Sequence, residues 1–221
     1  MSLKYLRDLT AAALKRFDAL SGTSLKPAVG GIYRWLLKLS SLVRRRTDPA
    51  IIRTLCFLKI YKPKELKLNL GCGTKHFKGY LNVDIWITQA TDVISDITRL
   101  PWPDGSAQII EAYHVIEHIS HTRISAVLKE WNRVLAKNGQ LILEMPHFDN
   151  AIKEYFNGNE ERLMNVFGRQ RCPGDTHLFG YNPQRLVRIL ENAGFTGFTE
   201  EQPTGTQITQ EPCFRLKCAK K

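Results

Sequence analysis

LKLNLGCGTKHFKGYLNVDI, residues 66–85, decides the fold. Leu66, Leu68 and Leu70 alternate with polar residues, as in a short strand, and Gly71 follows at once. YLNVDI reads as a second strand ending in Asp84. Gly71 and Gly73 permit a tight turn and a close approach of backbone to ligand. A lone G-x-G also describes a purely structural turn. The dinucleotide fingerprint G-x-G-x-x-G fails here because its third glycine position is His76, and the phosphate-loop pattern ending in G-K-[ST] fails as well. Gly73 and Asp84 are only 11 residues apart, so a long helix hardly fits between the two strands.

Beyond this stretch, strand and helix patterns alternate. TDVISDI is expected as a third strand with Asp96 at its end, and AQIIEAYHV as a fourth. HTRISAVLKEWNRVLAKNG (121–139) is expected as a helix that buries Ile124, Val127, Leu128, Trp131 and Leu135 and stops at Gly139. QLILEMP is the fifth strand. A short helix is expected near NEERLMNVF, a longer one over NPQRLVRILENAGF, and a closing strand pair from FTGFTEE and CFRLKCAK. Alternation of this kind gives a Rossmann-like, doubly wound α/β sheet that is mostly parallel. Ligands then sit beyond the carboxyl ends of the strands, here the turns 71–76, 84–87, 96–99, 114–118 and 146–150.

The charge is uneven. The chain's formal charge is +11, but residues 1–65 hold 14 Lys/Arg against 4 Asp/Glu, while residues 66–221 hold 18 against 17. Residues 1–63 are therefore expected to form a basic helical extension, and residues 64–221 the ligand-binding domain. Leu3, Leu6, Leu9, Ala13, Phe17 and Leu20 share one helical face, Ile32, Trp35, Leu36, Leu39 and Val43 a second, and TDPA starts a third helix. Such an extension can pack on the domain as a cap, lie on an anionic membrane surface, or bind nucleic acid, the last being least favoured because no RNA-binding module is present. Asp8 and repeated basic residues stand where a signal peptide would be apolar, and no run is long enough to span a bilayer. Five scattered cysteines lack a C-x-x-C pair. The expectation is a cytoplasmic protein with reduced thiols, with membrane association as the option the basic extension leaves open.

The run from LNLGCG through NVDI, SDITRLPWPDGSAQIIEAYHVIEHI and LKEWNRVLAKNGQLILEMPH resembles a class I S-adenosylmethionine-dependent methyltransferase, in a compact subgroup of the methyltransferase type 11-like family often linked to surface-glycan biosynthesis. The resemblance covers about residues 64–221 and implies a seven-stranded sheet and S-adenosylmethionine as cofactor. It places Gly71, Cys72 and Gly73 against the methionine part of the cofactor, Asp84 and Ile85 at the ribose, Asp96 and Ile97 at the adenine, and Tyr113 and His114 near the sulfonium. Many members carry Asp where this chain has Asn69, whose amide can brace the loop without supplying a carboxylate.

Methyl transfer to a hydroxyl benefits from a general base, and histidine is suited to the task. The candidates are His114, Glu117, His118 and His147, with Asp149 and His177 behind them; for Glu117 and His118 a structural role at a helix start competes evenly. Arg169 and Arg171 could grip a phosphate or sugar carboxylate, or be solvated. His114, His118 and His147 could form a metal site, but no metal is expected. The expected activity is O-methylation of a sugar, glycan or lipid-linked glycan precursor. The alternatives are a non-catalytic cofactor-binding or membrane-recruited scaffold and an RNA methyltransferase.

Overall fold

The computed structural model describes residues 65–205 and 211–221, together with Pro49, Ile52, Arg53 and Cys56. Seven strands form one sheet: β1 Leu66–Leu70, β2 Leu81–Asp84, β3 Val93–Ile94, β4 Ala107–Tyr113, β5 Leu135–Pro146, β6 Phe195–Glu201 and β7 Cys213–Lys220. Their order is β3-β2-β1-β4-β5-β7-β6, parallel except that β7 runs antiparallel between β5 and β6. This is the doubly wound, seven-stranded sheet expected from the sequence. The central strands are buried on both faces, so the polar residues Asn69 of β1 and Glu111 of β4 lie buried among their apolar neighbours.

The link from β1 to β2 contains turns and no helix. Asn82 does the ordering that a helix would otherwise do. Its side chain accepts from Phe77 N at 2.8 Å and from Asn69 Nδ2 at 2.9 Å, and donates to Asp92 Oδ2 at 2.9 Å. The Phe77 ring then packs edge-on against Tyr80 and Tyr113.

Helix α1 spans Ile124–Val134 and buries Ile124, Val127, Leu128, Trp131 and Val134, one stripe at helical spacing. Trp131 Nε1 donates to Ile97 O at 2.9 Å, which moors the β3–β4 connection to the helix. The expected end at Gly139 is corrected: the helix stops at Val134, and Leu135 already pairs with Ala107 as the first residue of β5. Sheet pairing overrides the helical propensity of Ala136 and Lys137. The chain absorbs the change in a bulge before Gln140 pairs with Ile109, with Asn138 at φ 61°. The third strand is also shorter than TDVISDI, covering only Val93–Ile94.

Helix α2 covers Phe148–Phe156, α3 Leu163–Phe167 and α4 Pro183–Asn192. Asn182 caps α4 by accepting from Arg185 N at 2.7 Å, with Pro183 in the first turn. Of the expected N-terminal helices, those over 3–20 and 29–46 lie outside the described residues. Pro49, Ile52, Arg53 and Cys56 are helical; Ile52 is buried in the domain core and Arg53 Nη2 donates to Arg99 O at 3.3 Å.

Candidate active site

The chain turns sharply after β1. Gly71 (φ 66°) and Gly73 (φ 53°) both adopt the left-handed conformation that costs other residues 1–2 kcal/mol or so. A Cβ on Gly71 would lie 2.5 Å from Val115 Cγ2, whereas one on Gly73 would meet nothing within 4 Å. Gly71 is thus pinned by packing, and Gly73 faces open space where a ligand's backbone-recognised part fits. Gly71→Ala is expected to destabilise the fold by about 2–4 kcal/mol, from the backbone conformation plus overpacking. Denaturant melts would check this, and Val115→Ala should recover the packing share.

Asp84, at the end of β2, is buried. Its Oδ2 accepts from Gly73 N at 2.7 Å and its Oδ1 from Trp86 N at 2.8 Å, so one carboxylate ties the glycine loop to the next turn. Asn69 Nδ2 reaches Lys75 O at 3.4 Å, so its amide does brace the loop from behind. Ile85 is 60% exposed beside Trp86 and Ile87. Asp96 is exposed and accepts from Thr98 N at 2.8 Å, and Ile97 is half-buried against the core.

A cavity of about 420 Å³ opens in front of the glycine loop. Gly71–Lys75 form one wall, and Tyr113, His114 and His118 the next. Met164, Arg169, Arg171, Asp175 and His177, from α3 and the chain after it, close the far side with Glu211. Arg171 is committed to Asp175 through two contacts at 2.8 and 3.2 Å, and the guanidinium holds that carboxyl at about 2.

His114 follows β4 with φ 54°, a strained position for a non-glycine residue, and its N–H donates to Glu144 O at 2.8 Å. Its Nδ1 lies 3.4 Å from Glu117 Oε1 and 3.7 Å from Glu211 Oε1. Burial alone would lower the imidazole pKa. The carboxylates of Glu117, Glu211 and Glu144 more than offset this and raise it above the ordinary value. On its other edge, Nε2 lies 3.9 Å from Cys213 Sγ. Burial, then Glu211, pushes that thiol up to about 12, so it is a neutral, weak donor. Burial, then Asp84, raises Cys72 to about 11; neither thiol is a nucleophile near neutral pH.

The structure therefore brings His114 and His118 to one wall, adds His177, and buries Glu117 beside His114. It does not bring His147 there. That side chain accepts from Asn150 N at 3.4 Å as the cap of α2, and its ring packs on Phe214. Asp149 accepts from Asn182 Nδ2 at 2.6 Å on the exposed side of α2. Sequence reasoning missed Glu111, Glu144, Glu211 and Arg215. Glu111 bonds the Tyr113 hydroxyl at 2.7 Å, and Arg215 reaches Tyr113, Glu144 and Glu201. For Glu111, Glu144 and Arg215 the available signal was a charge within an apolar strand; Glu211, outside the strands, offered none.

Residues 68–143 match the methyltransferase domain family. Within those bounds the chain carries a methyltransferase domain. Solved structures with the same fold include S-adenosylmethionine-dependent methyltransferases from Methanosarcina mazei (16% identity over 74% of this chain and 96% of that one, TM-score 0.52), Thermotoga maritima (17%, 87% and 96%, 0.51) and Archaeoglobus fulgidus (14%, 84% and 99%, 0.51). At such identities the likeness is one of fold. No curated protein sequence matches the chain. The methyltransferase's cofactor is S-adenosylmethionine, and the open cradle at Gly73 fits a ligand that docks against backbone. No helix among the described residues is long and apolar enough to cross a membrane.

Proposed function

We propose that this methyltransferase transfers its methyl group to a hydroxyl of a carbohydrate-type acceptor, in a surface glycan or its lipid-linked precursor, with His114 as general base. The observation that carries this reading is the composition of the cavity wall. His114, His118, His177, Arg169, Tyr113 and Thr74 face the space, with Met164 as the main apolar contribution. An apolar acceptor would face a mostly polar wall, whereas a polyhydroxylated one can exchange hydrogen bonds with it.

In this reading Gly71, Cys72 and Gly73 cradle the methionine portion, Asp84 accepts the ribose hydroxyls beside Ile85, and Asp96 with Ile97 holds the adenine. The cofactor supplies a methyl group on a sulfonium, activated for displacement. His114 keeps Nδ1–H towards Glu117 and Glu211 and takes the hydroxyl proton at Nε2; the two carboxylates orient the ring and stabilise the imidazolium that results. Tyr113 stays a neutral hydroxyl, because burial raises its pKa. Polar walls around one face of the cofactor position the acceptor for in-line attack.

Transfer of tritiated methyl from S-adenosylmethionine to a panel of neutral and acidic sugars tests the reading. Label stable to mild base, as in an ether, is expected. Label that appears only on amines, or only on RNA, would overturn it.

The protonation of His114 can be read without any acceptor. By histidine NMR, its ring is expected to titrate above the ordinary value of about 6.5, and Glu211→Gln to move it downward. Because the folded-state pKa is raised, the ion pair's contribution to stability is fully present below the unfolded value and is lost as pH rises through the folded one. The fraction of base-competent His114 rises over the same interval. A midpoint unchanged in Glu211→Gln would contradict the assignment.

A further inference from the structure

Among the described residues, Glu117 is the one carboxylate whose oxygens are both buried and unsatisfied by ordinary hydrogen-bond geometry. It is 2% exposed, and its one close polar contact among the described residues is the long one from His114 Nδ1, 3.4 Å from Oε1; Oε2 has no hydrogen-bond partner. A bare buried carboxylate costs several kcal/mol unless something answers it. Two histidines face it. Glu117, His118 and His177 each place a ligand atom within 4.8 Å of the other two. Four-coordinate ligands on bonds of 2.0–2.1 Å sit roughly 3.4 Å apart, so side-chain movements of up to about 1.4 Å close the set on one ion.

The backbone around the histidines is arranged to match. His118 Nδ1 meets Thr176 O at 3.0 Å and His177 Nδ1 meets Asn165 O at 2.8 Å. A carbonyl only accepts, so both Nδ1 atoms carry the proton and both Nε2 atoms keep their lone pairs. Metal-binding histidines characteristically donate their other N–H in this way, which fixes tautomer and ring orientation. The Tyr181 hydroxyl is a second buried group without a partner, and the charge of Glu117 acts on it.

We infer that Glu117, His118 and His177 bind one divalent transition-metal ion of the zinc class. Two imidazoles and one carboxylate leave a further coordination position. His118 and His177 line the cavity, so that position faces the space occupied by the acceptor. The acceptor's oxygen would be its ligand there, a role that rests on the proposed acceptor reading; the ion site itself does not.

The test uses the full-length protein stripped with a chelator and then titrated with Zn²⁺ alone by calorimetry, and with Co²⁺ by visible absorption. One equivalent is expected, with the intense d–d bands of a low-coordinate Co²⁺ site. Glu117→Gln and His177→Ala should each weaken Zn²⁺ binding by more than about 100-fold, beyond what changes outside the ligand shell cost. His121→Ala, at an exposed histidine, should leave it unchanged. Should Glu117→Gln fail to fold by circular dichroism, His177→Ala, whose side chain lies at the cavity wall, gives the same readout. Absence of Zn²⁺ and Co²⁺ binding to the wild-type protein would overturn the site. So would binding that survives both substitutions but falls in Cys213→Ser, which would move the ion to the neighbouring set of His114, Glu211 and Cys213. Zinc binding in a protein that transfers no methyl to sugars would refute the acceptor reading while leaving the ion site intact.

Discussion

Asp84→Ala is expected to weaken S-adenosylmethionine binding by about 100-fold or more. The carboxylate has two tasks in this account. In the folded domain it already accepts from Gly73 N and Trp86 N, holding the glycine loop and the following turn in register. With cofactor present it would also accept from the ribose. Hydrogen bonds to a charged group contribute about 1.5–3 kcal/mol each, and two such losses amount to two or more powers of ten in affinity. Calorimetric titration measures this directly. Asp84→Asn keeps one acceptor and should fall between the wild type and Ala. An alanine variant that binds as tightly as wild type would remove Asp84 from the site.

Arg215→Ala is expected to cost about 3–5 kcal/mol of stability, the range for breaking a buried ion pair by removing one partner. Arg215 sits on β7 opposite Glu144 of β5, with Glu111 of β4 beyond. Glu144 is almost wholly buried and also accepts from Thr204 N and Gly205 N at 2.8 and 2.7 Å. Without the guanidinium, two buried carboxylates face each other with only hydroxyl and amide donors left. For a domain of this size the melting temperature should fall by roughly 10 °C. Urea melts with an unchanged slope would attribute the loss to the folded state. Tyr113 is also released from Arg215, so the cavity wall should loosen in the same variant. A loss below about 1 kcal/mol would mean that water replaces the arginine, contrary to the burial described here.

Much of the fold was legible because its signals are local. The glycine turn, the strand–helix alternation, the stripe of α1 and the Asn-Pro start of α4 each sit within one segment of chain. The short link between β1 and β2 was legible too, from the spacing of Gly73 and Asp84. The end of α1 was not, because Ala136 and Lys137 have good helical propensity and only the pairing of Leu135 with Ala107 decides otherwise. Nor was the ionic network, since the register that sets Glu144 opposite Arg215 joins residues 71 apart. The cavity was half legible. His114 and His118 follow a strand end and could be nominated from position, and Tyr113 from the family resemblance. His177 and Glu211 arrive from distant loops, and the orphaned carboxylate of Glu117 exists only once those loops have closed over it. His147 shows the converse: a strand-end histidine whose ring nitrogen is taken up in capping α2.

The central claim is that the glycine loop, Asp84 and the histidine wall form one site for S-adenosylmethionine and its acceptor. A crystal structure with S-adenosylhomocysteine tests it most directly. The account predicts the ribose hydroxyls on Asp84, the amino-acid part against Gly71–Gly73, and the sulfur facing Tyr113 and His114. Ligand density away from Asp84, or a sulfur turned from the histidine wall, would contradict it.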